Sequence, residues 1–246
     1  MPKKSLRPSA ADADAAPGGA AAVDRALSLL AAFRPGDTAL SLATLAQRSR
    51  LYKSTVLRLL ASLEHAGLVQ RTESGGYTIG PEVARLNAIY SASFSVDAAL
   101  LPVLRDLVAA TQESAAFHVG RGEQRLCLLR VDSEQPLRDH VRAGDILPLA
   151  RGAGGRVLLA FGGAKGLPYV QIRRDAVAVL HGDRVAGLTG IAAPVWGPGA
   201  ALAGAITLTL PDQRMQPHFE AAVRAAAARA TVRLGGAGPP PEPAAD

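Results

Sequence analysis

Ser41–Arg71, SLATLAQRSRLYKSTVLRLLASLEHAGLVQR, sorts its apolar and basic residues onto different faces of two closely linked helices. Leu42, Leu45 and Ala46 recur at i, i+3 and i+4, one face of a short helix, with Ser41 placed to cap its exposed amides. After a turn around Arg48–Tyr52, Val56, Leu59, Leu60 and Leu63 mark one side of a second helix, and Lys53, Ser54 and Arg58 mark the other. Two short helices packed through such faces, the second polar and basic at its N-terminal end, are what a helix-turn-helix needs to enter the major groove. Gly67 supplies a left-handed stop, and Leu68–Arg71, Thr72–Gly76 and Tyr77–Ile79 read as strand, turn and strand, the wing. From Arg48 to Arg71 five cations (Arg48, Arg50, Lys53, Arg58 and Arg71) stand against one acid, Glu64, a balance that favours phosphate. Taken singly, each cation is what any solvated helix face carries; the combination points to double-stranded DNA.

Working outward, Val23, Ala26, Leu27, Leu30 and Phe33 give an earlier helix one apolar face, ended by Arg34-Pro35-Gly36. Residues 21–80 thus read as a winged helix-turn-helix with a core of Leu27, Leu30, Leu42, Leu45, Val56, Leu59, Leu60, Leu63 and Val69. Residues 81–112 read as a helical connector. Pro81 suits a first helical turn, Val83, Leu86, Asn87 and Tyr90 share a face, and Pro102 is expected to kink or restart the second helix. That helix carries Leu100, Leu101, Leu104, Leu107 and Val108 as an apolar face for the domain after it. From Ser114 the period falls to two. SAAFHVGRG and EQRLCLLRVDS form a hairpin, Arg138–Arg142 is a further candidate strand, and a glycine-rich loop, Gly152–Gly155, precedes a helix over 156–161. Ile191–Trp196 and Leu202–Thr209 pair about Gly197-Pro198-Gly199, and a last helix carries Phe219, Val223, Ala226 and Ala230. The order implies an α+β domain over 113–235, an antiparallel sheet with helices against it. Residues 1–20 and 236–246, rich in Ala, Pro, Gly and charge, are expected to be loose.

The net charge of +6 agrees with a polyanionic partner, and a lone cysteine, Cys127, allows neither an internal disulfide nor a cysteine-built zinc site, which suits a reducing cytoplasm. The start has no apolar core of a secretory signal, and no run reaches a membrane span. The histidines (His65, His118, His140, His181, His218) show no metal-ligand spacing, and no G-x-S-x-G elbow, GK[ST] loop or complete dinucleotide fingerprint occurs. No enzyme, metal or cofactor is expected. For reading DNA, Lys53, Ser54, Thr55 and Arg58 lie at the groove-facing start of the recognition helix, with Arg58 able to read guanine bidentately. Lys53, Arg48, Arg50 and Arg71 are phosphate candidates, Thr55 alternatively caps or packs, and Tyr77 either touches sugar or packs on the head. The Gly152–Gly155 amides, at a helix N-terminus, suit an anion.

With these parts placed, residues 22–235 resemble the isocitrate lyase regulator (IclR) family of bacterial transcription factors. The resemblance is carried by AVDRALSLLAAF, LATLAQRSRLYKSTVLRLLASLEHAGLVQR and GYTIG, then by ILPLARGAGGRVLLAF, GLTGIAAPVWG and GAITLTLP. It implies a winged head, a connector used in dimerisation, and a GAF-like effector domain that binds a small molecule, often an organic acid. A dimer or pair of dimers on a pseudo-palindromic operator follows from the same resemblance. The family's effector site maps onto Ala153, Gly154, Gly190, Thr207 and Thr209, with Asp183 or His181 in place of its usual acid. Two departures stand out: Arg50 where members usually carry glycine, and only LPYVQI between Gly166 and Arg173, where members have a longer helical insertion. Two alternatives stand beside this reading: a DNA-binding dimer whose shortened effector domain has lost its ligand and serves only assembly, and, less favoured, a small-molecule enzyme using the glycine-rich loop.

Overall fold

The computed structural model describes residues 9–13, 15–34, 36–93 and 96–238, without the side chains of 90–93, and divides into two units between Phe94 and Ser95. Residues 1–8 and 239–246 of the expected tails, Pro35 of the expected breaker and the Tyr90 side chain lie outside this description.

The first unit runs α1 (Ala10–Ala13), α2 (Ala21–Leu30), α3 (Leu42–Ser49), α4 (Lys53–His65), β1 (Val69–Arg71), β2 (Tyr77–Ile79) and α5 (Pro81–Ser93). Ser41 caps α3 as its position requires, its Oγ accepting the Thr44 amide at 3.1 Å. At the other end Arg50 takes a left-handed conformation (φ 57°), and the Leu51 amide reaches back to the Ala46 carbonyl at 3.2 Å. That left-handed residue turns the chain into α4, which explains why glycine suits the position. α4 ends on Gly67 (φ 69°), with the Leu68 amide on the Leu63 carbonyl. β1 and β2 pair antiparallel, and Leu40 adds a bridge to Tyr77. The core gathers Leu29, Leu45, Val56, Leu60, Leu63 and Val69, with Leu30, Leu42 and Leu59 packed on it. Leu27, expected in this core, is 55% exposed, and Leu29 is buried instead. The apolar arc of α2 is wider than its contact, and the stripe that seats is Ala26, Leu29, Leu30 and Phe33. Within the segment expected to be loose, α1 forms one turn whose Asp12 amide donates to Ser9 Oγ at 3.1 Å.

The second unit runs α6 (Val96–Thr111), β3 (Ser114–Arg121), β4 (Gln124–Val131), β5 (Ile146–Pro148), α7 (Gly152–Phe161), α8 (Leu167–Asp175), β6 (Ala178–His181), β7 (Leu188–Trp196), β8 (Leu202–Pro211) and α9 (Phe219–Arg233). Six antiparallel strands lie in the order β5-β4-β3-β8-β7-β6. Alternation divides them: Ile191, Ala193 and Val195, with Ile206, Leu208 and Leu210, meet Leu100, Leu104 and Leu107 of α6 and Phe219, Val223 and Ala226 of α9. Ala192 and Ala205 face α7, whose Ala153, Val157 and Ala160 complete a second cluster. α6 therefore belongs to the sheet's own core, and it runs unbroken through Pro102. Arg138–Arg142 is not a strand, and the edge strand is β5. The glycines from Gly152 to Gly155 are the first turn of α7 rather than a loop before it. Gly155 is required there by space, because a Cβ would stand 2.1 Å from the Leu149 carbonyl oxygen.

Candidate nucleic-acid interface and polar cavity

α4 buries Val56, Leu60 and Leu63 and so turns Lys53, Ser54 and Arg58 to solvent, with Thr55 half-buried between them. Arg50 and Arg71 are also exposed, and none of Arg50, Lys53, Arg58 and Arg71 enters an ion pair among the described residues. The Arg71 guanidinium lies 6.0 Å from the centre of the Tyr77 ring, a cation–π contact that steadies it on the wing. One expected DNA contact, Arg48, is corrected, and Tyr77 takes the packing alternative. Arg48 is committed inside the head: its Nη1 donates to Asp37 Oδ2 at 2.5 Å and to the Ala32 carbonyl at 2.8 Å. The Arg48 hydrogen bond, followed by the Arg34 amide, lowers the Asp37 carboxyl below its usual value. Tyr77 is 4% exposed and packs in the core. That pairing of α3 with the turn before it joins residues eleven apart in sequence and has no local periodicity to announce it.

In the second unit a small cavity of about 30 Å³ lies between the sheet and the start of α7. Ala153, Asp183, Gly190, Thr207 and Thr209 line it, together with His118, Arg125, Arg130, Asp139 and Arg184, which sequence reasoning missed. Gly154 makes room for it, since a Cβ there would stand 2.5 Å from Arg125 Nη1 and 2.8 Å from Thr207 Oγ1. His181 does not reach it; its side chain is 62% exposed, with Nδ1 against Thr189 Oγ1 at 2.8 Å. The expected free amides at the start of α7 are partly spoken for. Asp183 Oδ2 accepts the Gly152 amide at 2.5 Å, and Asp183 Oδ1 pairs with Arg156 at 3.1 Å. Burial opposes the Asp183 charge, and the Gly152 amide and Arg156 outweigh it, leaving the carboxyl below its usual value.

Cations dominate this cavity. Asp139 Oδ1 takes Arg130 at 2.5 Å and Asp139 Oδ2 takes Arg184 at 2.7 Å. Arg125, 2% exposed, has no such partner among the described residues: its Nε and Nη1 are both buried without a hydrogen bond, as is His118 Nε2. Burial, and then the neighbouring Arg184, bring the Arg125 guanidinium down to about 10. A buried, unsatisfied cation facing a cavity beside two threonine hydroxyls is arranged for an anion.

The IclR helix-turn-helix domain model matches residues 22–73. A solved structure from Silicibacter sp. TM1040, described as an IclR transcriptional regulator, is 30% identical, covers 90% of this chain and 99% of its own, and superposes with a TM-score of 0.79. The chain belongs to the IclR family. The IclR homologue of Microbacterium hydrocarbonoxydans, solved with 4-hydroxybenzoate, shares its fold at TM-score 0.77, with 21% identity over 87% of this chain and 99% of its own. The transcriptional regulator SauR of Cupriavidus necator H16 is 34% identical over 155 residues, 63% of this chain and 60% of SauR, so the match spans less than two thirds of that relative. No helix of the described residues is long and apolar enough to cross a membrane.

In this IclR chain two of the missed cavity residues, Arg125 and Arg130, trace to one irregularity. Phe117 pairs with Leu129 and His118 with Cys127, which leaves Leu128 as the extra residue of a β-bulge. A strict period of two puts Arg125 and Arg130 on opposite faces of β4; the bulge brings both to the cavity. His118 sits on the same face, its Nδ1 2.9 Å from Thr207 Oγ1. Burial first, then Arg125, Arg130 and Arg184, hold His118 well below its ordinary value of 6.5, so it stays neutral when folded. The unfolded chain then binds the additional proton once pH drops below 6.5, and stability falls with pH in that window, by at most about 1.4 kcal/mol per unit. His118→Gln is expected to flatten the thermal-denaturation profile between pH 6.5 and 5; an unchanged slope would assign the acid sensitivity elsewhere.

Proposed function

We propose that this IclR chain is a ligand-responsive transcriptional regulator that binds a pseudo-palindromic operator as a dimer or pair of dimers, its affinity set by a small organic acid in the cavity of the second unit. One observation carries the DNA half: the N-terminal turns of α4 present Lys53, Ser54 and Arg58 to solvent with no ion-pair partner among the described residues. The N-terminal residues of a recognition helix meet base edges, which assigns Arg58 to guanine O6 and N7, Ser54 and Thr55 to neighbouring edges, and Lys53, Arg50 and Arg71 to phosphates. Two heads on one face of the duplex would read half-sites about 34 Å apart. The regulator SauR, at 34% identity, supports the DNA half of this reading.

The acid half is supported by Arg125, whose unsatisfied guanidinium faces Thr207, Thr209 and Ala153 across the cavity, and by the 4-hydroxybenzoate held by the Microbacterium homologue. A unit retained only for assembly would have no use for a buried cation lacking a partner. Binding to duplex DNA from upstream of its own gene, titrated with salt beside random duplex, tests the proposal. The upstream duplex is expected to bind about a thousandfold more tightly or better; equal, weak binding of both would contradict it.

Arg50 offers a second check. Its left-handed backbone costs an ordinary residue about 1–2 kcal/mol, of which glycine's unfolded-state entropy returns roughly half. Arg50→Gly is expected to raise the melting temperature slightly while reducing the salt slope of DNA binding by about one. A lower melting temperature would show that the arginine side chain stabilises the turn.

A further inference from the structure

The cavity has a neighbour that its chemistry does not yet use. An open groove of about 560 Å³ adjoins it, with the apolar side chains of Leu137, Val141, Leu147, Val185, Leu188 and Pro211 on its walls. Inner chamber and outer groove share Asp139, Val141, Leu147, Arg184, Val185 and Leu188, so the ion pair between Asp139 and Arg184 is the polar part of the wall between them. The pair also spans the sheet. Asp139 lies on the segment between β4 and β5, Arg184 on the turn between β6 and β7, and β5 and β6 are opposite edges of the six strands. Among the described residues no other hydrogen bond or ion pair joins those two segments.

Charge and size restrict what can enter. Asp139, its side chain 3% exposed, neutralises Arg130 and Arg184 jointly, Asp132 adds a second carboxylate to Arg130, and Asp183 answers Arg156. Arg125 alone is left over, and His118 is neutral, so the chamber is short of one negative charge. At about 30 Å³ the chamber holds a group the size of a carboxylate or two waters and no ring. The groove, by contrast, falls within the range of small-molecule sites.

Resting on the assignment of the cavity as an acid site, we propose that the effector is a singly charged carboxylic acid with an apolar body, and that the Asp139–Arg184 pair is its gate. The carboxylate sits on Arg125 within the chamber and the body lies in the groove, so the pair must part for the acid to enter. Asp139 acts as the built-in counter-ion that refuses a second negative charge while it holds Arg184.

Acetate, hexanoate and adipate, measured by isothermal calorimetry on the full chain, test this. Hexanoate is expected to bind more tightly than acetate by about fourfold for each added methylene that the groove buries, and at least tenfold more tightly than adipate, which differs from it by a second carboxylate. Leu137→Ser, on an exposed groove wall outside the chamber, is expected to reduce the advantage over acetate and leave acetate itself unchanged. Asp139→Asn frees Arg184 for a second carboxylate and is expected to narrow the hexanoate-to-adipate ratio at least tenfold. Adipate binding as well as hexanoate, hexanoate no tighter than acetate, or an unaltered ratio in a folded Asp139→Asn would each overturn the proposal. Should Asp139→Asn not fold, the wild-type ratio and Leu137→Ser decide. If none of the three acids binds the wild type, the acid-site assignment itself fails and the gate falls with it.

Discussion

Arg125→Met is expected to raise the melting temperature of the ligand-free protein and, in the same variant, to abolish its stabilisation by acid. The two effects have one cause. Arg125 is 2% exposed, with two guanidinium nitrogens lacking a hydrogen bond, so the cavity holds a desolvated charge with no hydrogen-bonded counter-ion among the described residues. Replacing a buried ionic group by an apolar side chain of similar length commonly stabilises by about 1–4 kcal/mol, and methionine adapts to irregular space. The acid, when bound, supplies the missing partner. Losing one side of a desolvated charge pair costs about 2–5 kcal/mol, a fall in acid affinity of at least about thirtyfold. Thermal denaturation with and without acid reads both, since a ligand stabilises by RT ln(1 + [L]/Kd). A variant that melts earlier when empty, or that still responds to acid as the wild type does, removes Arg125 from the site.

The second large effect is on DNA. Arg58→Ala is expected to weaken binding to the cognate duplex by about 1–3 kcal/mol, ten- to more than a hundredfold, with far less effect on random duplex. Arg58 lies one turn beyond Ser54 on the exposed side of α4, while Val56 and Leu60 hold that helix in the core, so the truncation changes the surface and leaves the packing intact. Arg71→Ala removes a cation from the wing, 6.0 Å from the Tyr77 ring, and is expected to weaken both duplexes alike. Competition between labelled cognate and random duplex separates the two behaviours. Equal losses on both duplexes for Arg58→Ala would make it a phosphate contact and move base reading to Ser54 and Thr55.

The head was legible because its information is local. Helical spacing places Leu45, Val56, Leu60 and Leu63, the Ser41 cap and the Gly67 stop follow from residue type, and all are found where those rules put them. The errors arose where spacing allows two answers or where a partner is distant in sequence. Leu27 and Leu29 both fit an apolar arc, and only the packing selects Leu29. Arg48 looked like a free cation until Asp37 met it. The polar cavity was legible only in part. Thr207 and Thr209 alternate correctly on β8, whereas Arg125 and Arg130 share a face through the bulge at Leu128, and Asp139 and Arg184 arrive from loops. Glycines at the start of α7 suggested a cradle of amides for an anion. Their use in the fold is mainly steric: Gly154 leaves room for the Arg125 guanidinium and Gly155 for the Leu149 carbonyl.

Coupling between the two units decides whether this is a regulator or a DNA-binding protein with an idle pocket. An acid can shift operator affinity only by its differential affinity for the DNA-competent and incompetent states. Fluorescence anisotropy of operator duplex, titrated with protein in the absence of acid and again with an acid that calorimetry shows to saturate the cavity, measures that coupling directly. The expected result is a five- to hundredfold change in operator affinity, about 1–3 kcal/mol, that disappears in Arg125→Met. Operator affinity unchanged at saturation, in a protein that demonstrably binds both, would contradict the account.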